Sequence, residues 1–406
     1  MLPLALRRGG PAGLVTVQNI VRSFETFGHP EFVDGEGNIV DRGIVVEQLA
    51  LVSGGHPRSL EFIVSICNGI TQLQVSKNIK TVIDEAAETL CSAYNNEDNW
   101  WHLFDIVLLA ENVAKDAKLV DDNPTSETFR SLVTRGILID SFDGDAVRFT
   151  PTVPELFLYK WVLKGEDGDS HKEARRFLKQ ILETRWRYTS DQFEIIHSSW
   201  EQLMRHVRQG KPKFAKMPLN TLYSIQLRGG AAPAASCQVD GQSILTEIQY
   251  IKNTDIVLQP NTIYNPKDPN NPGFDRLIVL EAFPVSSEGK SSQRFLLPLF
   301  IENKFSKDDA TTKLSIETVT SKHNNCEKFL SCHTSLGSDF SFISTDDNFI
   351  LLFVAKCNTH NNAVADAPSN VMFCFDQDLE RLYGPTLKGF VSSLRPGSCI
   401  SVREPK

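Results

Sequence analysis

RFLLPLFIENKFS, residues 294–306, is apolar through Ile301 and then delivers Glu302, Asn303 and Lys304. Such a run predicts a buried strand with a polar end. Side chains alternate along a strand, so Glu302 and Lys304 share one face and Asn303 takes the other. Twenty-seven residues before Glu302, across the polar loop SSEGKSS, stands Asp275 at the head of FDRLIVLEAF, residues 274–283. A hairpin of the two strands brings Asp275 to the glutamate end of its partner. Two carboxylates are hard oxygen ligands suited to Mg²⁺, which keeps several of its waters and takes one or two acidic groups. Such an ion polarises a phosphate and acidifies an attacking water, and a lysine beside it orients that water or offsets transition-state charge.

The pattern Asp/Glu-x-Lys occurs at Asp116–Lys118, Glu288–Lys290, Glu302–Lys304 and Glu404–Lys406. Only the third ends an apolar strand with an aspartate-headed partner. The others are expected in a helix, a loop and the terminus. The competing expectation is structural: solvated charges at a strand end, with Asp275 as a turn cap. Glu281, six residues beyond Asp275 and on the same strand face, is an alternative ligand. Lys307, Lys313 and Lys322 are candidate phosphate contacts or a solvated helix face.

Outward from this pair, residues 166–406 are expected to form one α/β domain. Strands are predicted near Leu222–Leu227, Ile256–Leu258, Phe274–Phe283, Arg294–Phe305 and Phe349–Lys356, with helices over Ala310–Leu330 and Asp376–Leu394. The charged stretch GEDGDSHKEARR leads into the domain as a linker. Residues 96–165 read as a winged-helix-like unit: a helix through WWHLFDIVLLAENVA, a capping signal at Thr125-Ser126-Glu127, the helix TFRSLVTRGIL, and a hairpin with Asp143-Gly144 at its tip. Residues 1–95 are helical. VVEQLALVSGG stops at Gly54-Gly55, Pro57 opens SLEFIVSICNGI, and a third helix runs through IKTVIDEAAETLCSAY.

These motifs carry a resemblance. Asp275, Glu302 and Lys304 resemble the metal-binding core of PD-(D/E)xK nucleases. The region from Gln192 to Lys304 is similar to the nuclease domain of Crinkler effectors and retrotransposon hot spot proteins, through Phe193-Glu194-Ile195-Ile196-His197, the loop Tyr264-Asn265-Pro266 and Phe274-Asp275. Gly54-Gly55-His56-Pro57-Arg58-Ser59-Leu60-Glu61 resembles the junction in the helical lid of P-loop ATPases of the STAND and AAA type. The resemblance implies a restriction-endonuclease-like C-terminal fold behind a helical ATPase lid and winged-helix-like unit. It also implies Asp275 and Glu302 as Mg²⁺ ligands, Lys304 assisting the water, and Glu194 as a supporting acid, a role Glu201 on the same helix could fill. His197 is expected to be a packed histidine, and Trp100-Trp101 core. The intact Glu302-Asn303-Lys304, where many family members carry glutamine-x-threonine, favours activity. Neither the Gly-x4-Gly-Lys-Ser/Thr phosphate loop of such ATPases nor the family's ubiquitin-like header occurs in these residues, which suggests a truncated product or a fragmentary gene model.

Composition limits the alternatives. With 41% hydrophobic and 23% charged residues the chain is ordinary globular material, and no run approaches the roughly 18 apolar residues of a membrane span. Eight scattered cysteines without a Cys-x-x-Cys pair suggest neither a zinc site nor a disulfide framework. A net charge of −8 provides no global pull on nucleic acid, so DNA binding must come from a local patch or a bound metal. The expectation is a Mg²⁺-dependent DNA endonuclease-like effector acting in the nucleus, possible host included. The alternative is a non-catalytic module that binds chromatin or host protein.

Overall fold

The computed structural model describes residues 18–387, except 19, 27, 35–36, 55, 95–99, 121–122, 124–125, 141–146, 164–170, 185–191, 224–236, 252–253, 268–272, 284–293, 306–313, 344–347 and 357–365. The chain is a mixed α/β protein of two compact units, one of residues 1–203 with 383–406 and the other of residues 204–382. The division falls inside the helix Gln192–Arg208, whereas the change of composition falls near residue 165. Among the described residues no helix is long and apolar enough to cross a membrane.

The N-terminal unit is built on helices whose ends are written in the sequence. Asp41 caps Arg42–Ser53 by accepting from the amides of Gly43 and Ile44. Gly54 ends that helix in the left-handed region at φ 56°, where a side chain would also crowd Pro154. His56 then caps Pro57–Leu73, its Nδ1 accepting from the Ser59 amide at 3.2 Å, and Pro57 takes the first turn, where its missing amide hydrogen is no loss. The helix Ile79–Ala93 follows. Glu155–Leu163 is buried from Glu155 to Trp161 and packs against Arg42–Ser53, Ile79–Ala93 and Lys172–Thr184, so it is the centre of this unit. Its Lys160 is buried and donates to the Tyr94 carbonyl at 2.7 Å.

Several local expectations are corrected here. The helix from Trp100 ends at Leu108, and Val113–Ala114 is a short strand paired with Arg148–Phe149. Asp116–Lys118 therefore lies after a strand and not in a helix. The next helix is Phe129–Thr134, capped by the Thr128 hydroxyl instead of the expected Thr125-Ser126-Glu127. Trp101 is half-buried and stacks on His171 with ring centroids 3.6 Å apart. The hairpin tip at Asp143-Gly144 and residues 165–170 of the expected linker lie outside the described residues, while the rest of that stretch, KEARR, is the start of the helix Lys172–Thr184 and not linker.

The C-terminal unit is organised by a mixed sheet. From one edge its strands run Val371–Cys374, Ile350–Lys356, Arg294–Phe305, Arg276–Phe283, Thr262–Pro266 and Thr246–Tyr250. The first three are mutually parallel, and Arg276–Phe283 is antiparallel to both of its main neighbours. The helix Ile316–His333 lies between Arg294–Phe305 and Ile350–Lys356 in sequence, as a crossover between parallel strands requires. Leu277–Leu280 and Leu299–Ile301 are fully buried, which explains why their strands read as continuous apolar runs instead of alternating ones. Phe274, Phe300 and Phe349 pack with Val319 and Cys326 of the helix in the same core.

One expectation about this unit fails: Tyr264-Asn265-Pro266, expected as a loop, belongs to a strand. Pro266 is tolerated there because the pairing with Arg276–Phe283 ends at Tyr264, so no ladder bond on that side requires its amide hydrogen. Of the strand expected over Leu222–Leu227, residues 224–227 lie outside the described residues, and Leu222 itself ends the short helix Leu219–Leu222. The helices expected over Ala310–Leu330 and Asp376–Leu394 are described as Ile316–His333 and Asp376–Leu382.

Two predictions follow from these packings. A Cβ on Gly241 would stand 2.7 Å from Met217 Sδ and 3.1 Å from the Phe214 carbonyl. Gly241→Ala should lower stability to urea by about 1–3 kcal/mol, whereas Gly69→Ala, in open space within a helix, should be neutral or stabilising by up to about 1 kcal/mol. Equal effects would refute the packing. The second concerns His56, whose pKa burial lowers from 6.5 to about 4, with Arg58 adding to the shift. The unfolded chain binds the His56 proton first, so the stabilisation is complete above pH 6.5 and is lost as pH falls toward 4. Protection of the amides at the start of Pro57–Leu73 against hydrogen exchange, corrected for the intrinsic rate at each pH, should fall over that window by no more than roughly 3 kcal/mol of local stability. His56→Asn, which keeps a capping acceptor, should remove the pH dependence.

Candidate functional site

The hairpin register runs from Ala282 opposite Phe295 to Arg276 opposite Ile301. One step beyond that last pair, Asp275 stands beside Glu302 and Asn303, and its backbone amide donates to the Ile301 carbonyl at 2.9 Å. Both Asn303 nitrogens grip one oxygen of its carboxylate: the backbone amide donates to Asp275 Oδ2 at 2.5 Å and Nδ2 at 3.2 Å. Asp275 Oδ1 takes no hydrogen bond among the described residues. Burial raises the Asp275 pKa and the negative charge of Glu302 raises it further, while the Asn303 amide, Arg276 and Lys304 act against that shift.

Glu302 is 1% exposed. A carboxylate so far from water needs charged partners. Lys304, two residues on and on the same strand face, places Nζ 2.6 Å from Oε1. Lys322 supplies a second ammonium to the same oxygen at 2.8 Å. It comes from the crossover helix, where Val319, His323 and Cys326 are buried, so Lys322 lies on the stripe facing the sheet. The Cys326 thiol is pushed well above its ordinary pKa by burial and then by the charge of Glu302, so it is an inert core group. Glu302 Oε2 is buried with no hydrogen-bond partner among the described residues, as is Asn303 Oδ1.

These positions settle where each expected residue lies. Asp275, Glu302 and Lys304 come together at one end of the hairpin. Lys322, expected as a phosphate contact or solvated charge, is instead an ion-pair partner of Glu302 with a side chain only 17% exposed. Lys307 and Lys313 lie outside the described residues. Glu281 is no alternative ligand: it pairs with Arg294 at 3.0 Å, six residues from Asp275, or about 20 Å along a strand. Glu194 is half-buried in the first turn of Gln192–Arg208, in the N-terminal unit, and Glu201 is buried in that same unit. His197 is a packed histidine, with Nδ1 3.0 Å from the Tyr383 hydroxyl and its ring stacked on Trp200. The roles of Asn303 and Lys322 were missed. The i, i+3, i+4, i+7 spacing of Val319, Lys322, His323 and Cys326 carried the signal for the latter.

The donor set can be tested against a divalent cation. Among the described residues no group of three His, Cys, Asp or Glu side chains is placed to hold a metal. Two carboxylate oxygens are without a hydrogen bond among the described residues, Asp275 Oδ1 and the buried Glu302 Oε2. Carboxylate oxygen is the ligand type Mg²⁺ takes, and such an ion would have to compete with the two lysines for Glu302. Comparison of the chain with protein-family models, with curated proteins and with solved structures finds no match.

Proposed function

We propose that this chain is a Mg²⁺-dependent phosphodiester hydrolase acting on DNA, with its site at the Asp275 and Glu302 end of the hairpin. The observation that carries the reading is a buried glutamate with one oxygen held by lysine and the other unpartnered, beside an aspartate on the neighbouring strand. A surface turn cap or a solvated strand end would need neither that burial nor those ammoniums.

Asp275 and Glu302 would hold the ion through Oδ1 and Oε2. When bound, Mg²⁺ supplies Lewis-acid polarisation of the scissile phosphate and a more acidic attacking water. Asn303 fixes the Asp275 carboxylate through Oδ2 and so aims Oδ1. Lys304, with its side chain 34% exposed, can meet both Glu302 and an incoming phosphate, where its ammonium offsets the negative charge that grows as the water adds to phosphorus. Because the whole chain carries net charge −8, substrate must be held by this local set of cations, and binding should weaken steeply with salt.

The Crinkler and retrotransposon hot spot resemblance extends the proposal to an effector acting in the nucleus of a host. The capped corner at Gly54 to Pro57 supports reading the N-terminal helices as an ATPase-type lid. The short antiparallel pairs around Phe129–Thr134 support the winged-helix-like assignment.

Supercoiled plasmid incubated with Mg²⁺ tests the reading. Wild type should nick it, and Glu302→Gln and Asp275→Asn should each lower the rate by roughly 100-fold or more, with circular dichroism showing that both variants keep their fold. Wild type and variants equally inert would refute the hydrolase and favour a module that only binds chromatin or protein.

A further inference from the structure

The site, as folded, is already neutralised by its own cations. The two acids, Asp275 and Glu302, face Lys304 and Lys322, and the charge of Arg276 acts on Asp275 as well. Positive groups thus equal or outnumber negative ones before any ion arrives. A divalent cation approaching Glu302 meets two ammoniums within 3 Å of Oε1, in a place where low exposure weakens solvent screening. At the same time Oε2 is buried with no partner among the described residues, which is costly for a buried acceptor. A carboxylate serving only the fold would gain from having both oxygens satisfied.

We infer that Lys322 makes divalent-cation binding at Glu302 conditional on a bound phosphodiester. The inference rests on the metal reading proposed above and adds its regulation. In the free protein Lys304 and Lys322 hold Glu302. A nucleic-acid phosphate brings negative charge to the same spot, draws an ammonium toward its own oxygens, and leaves the carboxylate to the cation. Metal and polyanion therefore bind with positive coupling, and each raises the affinity of the other by the same factor. Lys304 is the more exposed of the two and better placed to move to the phosphate. Lys322, rooted in the crossover helix by buried Val319 and Cys326, is the positioning residue that keeps the empty site balanced.

Electron paramagnetic resonance of Mn²⁺ measures this without turnover. The full chain is titrated with Mn²⁺ alone and in the presence of a phosphorothioate duplex of about 20 base pairs, which resists cleavage while keeping its charge. Glu302→Gln with the same duplex supplies the background from ions bound to DNA. Wild type should bind Mn²⁺ weakly alone and about tenfold or more tightly with duplex. Lys322→Gln, which removes the charge but keeps a donor for Oε1, should bind Mn²⁺ tightly without duplex and gain little from adding it. Lys322→Met should behave alike, so that a folding defect in one variant does not decide the result. Equal Mn²⁺ affinity with and without duplex in wild type, with Glu302→Gln abolishing it, would overturn the gating and leave the metal site standing. Mn²⁺ binding indifferent to Glu302→Gln under both conditions would overturn the metal site, and the gating with it.

Discussion

A carboxylate buried to 1% exposure is the constraint around which the C-terminal unit is arranged. Removing an ion from water costs several kcal/mol even after relaxation, and attraction to a single partner often fails to recover that loss. Glu302 has two ammoniums on one oxygen, from different elements, so the end of Arg294–Phe305 and the middle of Ile316–His333 must meet at that point. The adjoining apolar packing of Val319 and Cys326 against Phe274 and Phe300 holds the helix where Lys322 can reach. Evolution of stability alone would have favoured an apolar residue here, since replacing a buried ion pair with well-packed hydrophobic groups is often neutral or stabilising.

Asp275 illustrates the same logic at lower burial. Its backbone continues the ladder through the Ile301 carbonyl, and its side chain is tied to Asn303, the residue between Glu302 and Lys304. That residue type is permissive by strand alternation alone, yet its amide groups fix one oxygen of Asp275 and leave the other open. Three consecutive residues on one strand thus make three different contacts: Glu302 receives two ammoniums, Asn303 holds one oxygen of the neighbouring acid, and Lys304 pairs with Glu302.

Where local chemistry set the structure, the sequence was a sufficient guide. The apolar runs of the hairpin, the Gly54 stop, the Pro57 start and the pairing of Glu302 with Lys304 all follow from period, cap or φ preference and were legible. Tertiary pairing overrode local signals elsewhere. Tyr264-Asn265-Pro266 carries turn-forming residues, but Thr262–Pro266 is hydrogen-bonded between two neighbouring strands and becomes a strand. Leu222 was given to a strand because an apolar residue among turn signals does not distinguish a short helix from an extended segment. Lys322 was obscured by the other lysines near it, since only the position of the helix on the sheet tells a buried cation from a solvated one. Glu281 failed as a ligand because face parity says nothing about distance along a strand.

Crystals of the full chain grown with a short duplex and Mn²⁺ provide the most direct test, because anomalous scattering locates the ion independently of any activity. The account predicts an anomalous peak within coordination distance of Asp275 Oδ1 and Glu302 Oε2, with a phosphate oxygen on the same ion and at least one lysine withdrawn from Glu302. A peak elsewhere, with Glu302 still clamped by both ammoniums beneath the bound duplex, would contradict it.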